Sequence, residues 1–301
     1  MRHSLLLQNN KPALPRAPTA TADGRPQTHT IMDNRIGHYN FTVEPFSEDY
    51  TGQLTWESMG NHLLRCASLH AGRLGFGYDS MIRNRHIWVL SRLVVELNRM
   101  PRTWESYTLN TWISALYRQF TDRLYSITAP DGSAYGYAYT VWALIDMDTR
   151  QPLDLSRLPG EGLTGAVVAD RPFPVKGPGR IRVKSHTALR RRPTFYSDID
   201  INGHVNSIRY IEMILDLFPK QTFDHYAPQR VELAYCSETY CGEELDFFVD
   251  QADPLCYHIE ARKTDGTTAV RAAVRFRPLE CTQTDFPATL LAAGPSAAQD
   301  Q

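Results

Sequence analysis

The chain has 301 residues, of which 42 % are hydrophobic and 22 % charged, and a formal net charge of −1. This is ordinary globular usage with room for two domains, and no whole-protein field would draw nucleic acid or an anionic membrane. No stretch reaches the ~20 apolar residues of a membrane helix, and Leu5-Leu6-Leu7 is shorter than a signal-peptide core. The five cysteines are odd in number and form no C-x-x-C pair. They read as reduced thiols of a cytoplasmic protein, with neither a disulfide framework nor a zinc site.

In chain order, residues 1–32 are rich in Pro, Ala, Thr, Asn and Gln without apolar periodicity, which predicts a disordered extension. Met32 then stands just before the first patterned sequence as an alternative start. A helix is predicted over about 54–74, with Met59, Leu63, Ala67, His70 and Leu74 as its stripe. After a turn at Pro130-Asp131-Gly132, alternation through Tyr135, Tyr137, Tyr139, Val141, Ala143 and Ile145 predicts a strand. Residues 158–178 hold several Gly and Pro residues and read as a linker. A second helix is predicted over 205–218 from Ile208, Ile211, Leu215 and Phe218, ended by Pro219. Asp265-Gly266 then precedes the alternating Ala272, Val274 and Phe276, and residues 281–301 form a flexible tail.

The blocks 33–157 and 179–280 read as copies. At an offset of 136 residues, Val95-Glu96-Leu97 matches Val231-Glu232-Leu233, Thr103 matches Thr239, and Leu109 matches Leu245. A helix followed by antiparallel strands in each block gives an α+β architecture, with the helix buried on one sheet face and the two sheets able to pair edge to edge.

The run Asp198-Ile199-Asp200-Ile201-Asn202-Gly203-His204-Val205-Asn206 carries the chemistry. Asp200, Asn202 and His204 recur at every second position, which in an extended segment points all three to one face. The helix predicted immediately after would add free N–H groups and a positive dipole end, a place to stabilise an oxyanion. On the motif alone, capping of that helix by Asp200 or Asn202 is an equal alternative.

These residues resemble the hotdog fold, and more specifically the acyl-ACP thioesterases of plant plastids and bacteria. The resemblance covers about residues 36–280. It rests in the first block on Gly60-Asn61-His62-Leu63, on Ile87-Trp88-Val89-Leu90-Ser91-Arg92, on Thr111-Trp112-Ile113-Ser114 and on Val141-Trp142. In the second block it rests on the 198–206 run and on Tyr235-Cys236-Ser237-Glu238. It implies tandem hotdog domains, the first shaping the acyl pocket and the second catalytic. It implies a working set of Asp200, Asn202, His204 and, from a later strand, Glu238. The plant pattern Y-R-R-E-C-G has a cysteine once proposed as nucleophile, and here Thr239 stands in its place, with Cys236 and Cys241 out of register.

Hydrolysis would then proceed by activated water. Glu238, partly desolvated beside an acyl tunnel, would accept the water's proton, with His204 sharing that role or protonating the leaving thiolate. Asn202 would orient the carbonyl and Asp200 would fix Asn202. This chemistry requires no metal or organic cofactor. The partner implied is acidic acyl carrier protein (ACP), for which Arg180, Arg182, Lys184 and Arg190-Arg191-Arg192 offer a basic approach. An ordinary solvated charge run is the equal alternative for that patch. An acyl-CoA thioesterase and a non-catalytic acyl-binding module are the alternatives for the whole chain, as monomer or homodimer.

Overall fold

The stripe Met59, Leu63, Ala67 and His70 is buried, and the helix that carries it, α1 (Trp56–Arg73), begins where Thr55 accepts a hydrogen bond from the Ser58 N–H at 3.0 Å. The structure is a computed structural model that describes residues 33–157, 162–279 and Leu291. The expected N-terminal extension, and the expected tail apart from Leu291, lie outside the described residues.

Around α1 the first half places β1 (Gly37–Thr42), α2 (Tyr78–Arg83), β2 (His86–Leu97), β3 (Ser106–Leu116), β4 (Phe120–Thr128) and β5 (Ala134–Asp146). A one-turn helix, α3 (Gly162–Gly165), opens the connection. The second half follows with β6 (Arg190–Pro193), α4 (Arg209–Leu215), α5 (Lys220–His225), β7 (Tyr226–Tyr235), β8 (Glu244–Asp253), β9 (Cys256–Lys263) and β10 (Thr268–Pro278). The ten strands of the described residues form one antiparallel sheet in the order β1-β3-β4-β5-β2-β7-β10-β9-β8-β6. Read outward from the β2/β7 seam, the two halves have matching orders. The fold is α+β, with two hotdog halves joined edge to edge.

The seam explains the repeat. Val95 lies opposite Val231, Leu93 opposite Leu233 and Glu96 opposite Arg230, so Val95 pairs with its own counterpart at the 136-residue offset. This is the register of an isologous contact between two copies. Arg230 also bonds Glu96 at 2.6 Å across the seam. Below the sheet, α1 meets the start of α4 closely: a Cβ on Gly60 would lie 2.8 Å from Ile208 Cδ1.

One expectation is corrected. The second helix is α4, starting at Arg209 rather than 205. Val205 is still paired with Ile199 across the preceding turn, and the Asn206 side chain accepts the Ile208 N–H, so the chain turns into the helix only after Asn206. The described part of the connection between the halves lies against the sheet. The Val168 N–H donates to the Ile113 carbonyl at 2.8 Å, Phe173 packs edge-on against Trp112, Tyr137 and Tyr139, and the Gly179 N–H donates to Glu232.

Candidate active site

The 198–206 run is a tight hairpin, not an extended strand. Ile199 bridges Val205, the Asp200 N–H donates to the His204 carbonyl at 2.9 Å, and the Gly203 N–H returns to the Asp200 carbonyl at 3.0 Å. Gly203 has φ +81°, left-handed backbone that favours glycine. This is the hydrogen-bond pattern of a three-residue hairpin loop. The Asn202-Gly203 dipeptide is itself a turn signal, and the alternation of polar residues masked it.

The turn is held from below. Asp198, only 2 % exposed, receives Arg192 at 2.9 and 3.0 Å and the Phe195 N–H at 2.8 Å. Burial raises its pKa, but Arg192 and that N–H more than offset it and hold the carboxyl below the usual range. Within the turn, Asp200 accepts the Asn202 backbone N–H at 2.8 Å and its side-chain amide at 3.5 Å. Asp200 therefore positions Asn202.

His204 is brought to Glu238: Nε2 lies 3.3 Å from Oε2, with the imidazole 23 % and the carboxylate 38 % exposed. A substrate can reach both. Glu238 sits in the loop after β7, not on a strand. It has two further partners: Arg150 binds Oε1 and the Tyr240 hydroxyl donates to Oε2 at 3.1 Å. The Tyr240 ring also stands edge-on to His204, 5.0 Å between centroids. Arg150 comes from the first half, 88 residues away. Sequence reasoning missed it, and no local signal marks it. Thr239 is buried, with its hydroxyl receiving Tyr210 Oη at 2.8 Å and its carbonyl receiving the Val205 N–H. It fastens the Glu238 loop to the His204 hairpin. Cys236 and Cys241 are exposed free thiols.

Ile201 and Asn202 border a cavity of about 240 Å³ whose other walls come from the first half, including Leu64, Ala67, Met81 and Trp88, and from Leu163 of α3. Its apolar lining suits a hydrocarbon chain. The basic stretch is less free than its sequence implies. Arg191 binds Asp246 at 2.6 Å, Arg192 binds Asp198, and Arg190 donates to the Asp216 carbonyl.

A doubled hotdog whose 198–206 hairpin borders an apolar cavity and holds an imidazole against a carboxylate has the parts a thioester hydrolase needs. Comparison with known proteins narrows this. The family model described as the acyl-ACP thioesterase N-terminal domain matches residues 37–157, and that of the C-terminal domain matches 182–278. The chain belongs to the acyl-ACP thioesterase family. It is similar in structure to an acyl-ACP thioesterase from Bacteroides thetaiotaomicron, at 43 % identity and TM-score 0.76, covering 81 % of this chain and 98 % of that one. It is 25 % identical to the chloroplastic palmitoyl-acyl carrier protein thioesterase of Gossypium hirsutum, over 88 % of this chain and 69 % of that protein. It spans 63 % of a chloroplastic acyl-ACP hydrolase of Cuphea viscosissima. The 12:0-ACP thioesterase of Umbellularia californica, 18 % identical with TM-score 0.70, shares the fold. Hydrolysis of acyl-ACP thioesters is the activity that this membership carries, and neither the acyl-CoA nor the non-catalytic alternative is favoured. Among the described residues, no helix is long and apolar enough to cross a membrane.

Proposed function

We propose that the chain releases free fatty acid from acyl-ACP by water activated at the His204–Glu238 pair, with Asp200 and Asn202 positioning the thioester carbonyl. The contact between His204 Nε2 and Glu238 Oε2 at 3.3 Å carries this reading. Glu238 is already engaged by Arg150 and Tyr240, so the imidazole takes the water's proton while the carboxylate orients the ring and stabilises its charge. The hydroxide forms a C–O bond to the carbonyl carbon as the Asn202 amide donates to the carbonyl oxygen. The C–S bond then breaks, and His204 returns its proton to the leaving phosphopantetheine thiolate. Atoms balance with water as the sole co-reactant.

Residues 33–157 act as the pocket-forming domain and 179–280 as the catalytic one, joined by 158–178; the matched spans of the two family models support this division. Arg180, Arg182 and Lys184, all exposed, remain as a docking surface for the acidic carrier. The free state of the four described cysteines supports a cytoplasmic location.

Thiol release from a panel of acyl-ACPs tests the mechanism. His204→Ala and Glu238→Ala should each lose at least ~10²-fold in kcat. Cys236→Ala and Cys241→Ala should stay near wild type. Near-wild-type turnover by His204→Ala would remove it as the base, and a dead cysteine variant would replace water with a covalent route.

A further inference from the structure

The cavity bordered by Asn202 holds a cation in its wall. Arg123 on β4 lines it and is only 4 % exposed, whereas Ile201 is 89 % exposed. Asn202 and Ile201 therefore mark the mouth, and Arg123 marks the buried side. The guanidinium reaches no carboxylate among the described residues. Nη1 donates to His70 Nδ1 at 2.8 Å and to Thr111 Oγ1 at 3.2 Å, and both acceptors are neutral. Burial, followed by the Arg123 charge, pushes the His70 pKa down to about 4, so the imidazole is an acceptor and not a counter-charge partner. The adjacent Asp122 bonds Tyr117 at 3.0 Å instead.

A guanidinium has five N–H donors, and both bonds made here use Nη1. A buried charge answered by neutral groups alone carries a large desolvation penalty. A hydrocarbon tail laid against it would displace water and leave its remaining N–H groups without acceptors. A tail that ends in oxygen would supply a charge-assisted bond. On the reading that the acyl chain enters this cavity past Asn202, we propose that Arg123 is a specificity-determining residue that selects acyl chains bearing a hydroxyl or carboxylate oxygen toward the tail.

The test compares acyl-ACPs of matched length ending in methyl, hydroxyl or carboxylate. Turnover is measured alongside competitive binding of their non-hydrolysable amide analogues. Wild type should prefer one or both oxygen-ended chains by about 10-fold or more, the scale of a hydrogen bond to a charged group. Arg123→Met should bring that ratio to within about twofold of unity, and Arg123→Lys should retain part of the carboxylate preference. The wild-type series needs no variant, so the proposal stays decidable if Arg123→Met does not fold. Equal or better binding and turnover of the methyl-ended chain by wild type would overturn it. Selective binding of oxygen-ended analogues without turnover of any acyl-ACP would support this inference and overturn the hydrolytic mechanism alone.

Discussion

In the first half α1 runs 18 residues, and beside α2 it leaves a cavity of about 240 Å³. In the second half α4 runs seven residues, and Phe218, Tyr257 and Phe276 pack edge-on against one another in the space below the sheet. The strands are arranged alike on both sides of the seam, so the difference lies in what each half keeps under its sheet. The aromatic cluster packs the second half's core, while the cavity beside α1 has the room to receive a chain. The two halves meet at Glu238, which is bonded by Arg150 from one side and faces His204 from the other. On the proposed division of labour, two copies of one scaffold would thus have diverged, one keeping the reacting groups and the other the space for the chain.

The sharpest way to break this division is to exchange residues at the equivalent positions of the two copies. Glu238 corresponds to Arg102, an exposed side chain in the first half. Glu238→Arg should lose at least ~10²-fold in kcat on acyl-ACP, with a melting temperature close to that of wild type. Arg102→Ala should stay within about threefold. A comparable loss in both variants would mean that the first half contributes directly to the chemistry.

Acid should reveal the open interior next. Both α1 histidines pushed down by burial, His62 and His70, titrate at about 4 in the fold against 6.5 ordinarily. Between those values the unfolded chain binds the proton first. The stabilisation is therefore complete above about pH 6.5 and is lost as pH falls toward 4. For the buried His70 that amounts to about 3 kcal/mol. Denaturant unfolding at pH 7.5 and 4.5 should show a smaller loss for His70→Gln than for wild type. Equal losses would place the acid sensitivity outside the α1 cluster.

Much of this architecture could be read before any coordinates, for identifiable reasons. The α1 stripe has helical period over about four turns, the Asp-Gly turns punctuate alternating runs, and Val95-Glu96-Leu97 repeats in Val231-Glu232-Leu233. Periodicity is a property of neighbours along the chain, so it survives in one dimension. The hairpin at Asp200–His204 was misread because Asp, Asn and His at every second position mimic a strand, although Asn202-Gly203 marks a turn. Arg150 and Arg123 could not be found in this way. Each acts through residues remote in sequence, Glu238 in one case and His70 in the other. In a strand pattern Arg123 looks like a solvent-facing charge, and only the closure of α1 over β4 buries it.

Arg150 measures how far the halves depend on each other. Its pair with Glu238 is half exposed, so screening limits its contribution. Arg150→Ala should lower kcat about three- to tenfold with KM within twofold, and Arg150→Lys should restore part of the rate. A loss as large as that of His204→Ala would show that the first half supplies an essential charge. No change would reduce the contact to a surface ion pair.

Thr239 provides the finest comparison, because its counterpart Thr103 occupies the equivalent loop. Thr239 is buried and its hydroxyl accepts from Tyr210 at 2.8 Å; Thr103 is half-buried, and its backbone N–H reaches the Gly52 carbonyl at 3.3 Å. Thr239→Val preserves shape but strands the buried Tyr210 hydroxyl, at about 1–2 kcal/mol. Thr103→Val should cost less than about 0.5 kcal/mol. Adding Tyr210→Phe to Thr239→Val removes both partners and should recover most of the loss, a coupling that a double-mutant cycle in denaturant measures directly. Turnover of Thr239→Val should remain within about threefold of wild type, since the Val205 N–H still has its carbonyl and the His204 hairpin stays tied. If that variant were folded and inactive, the hydroxyl in the cysteine's place would itself be reacting, and the second half would hold a nucleophile in addition to its acid–imidazole pair.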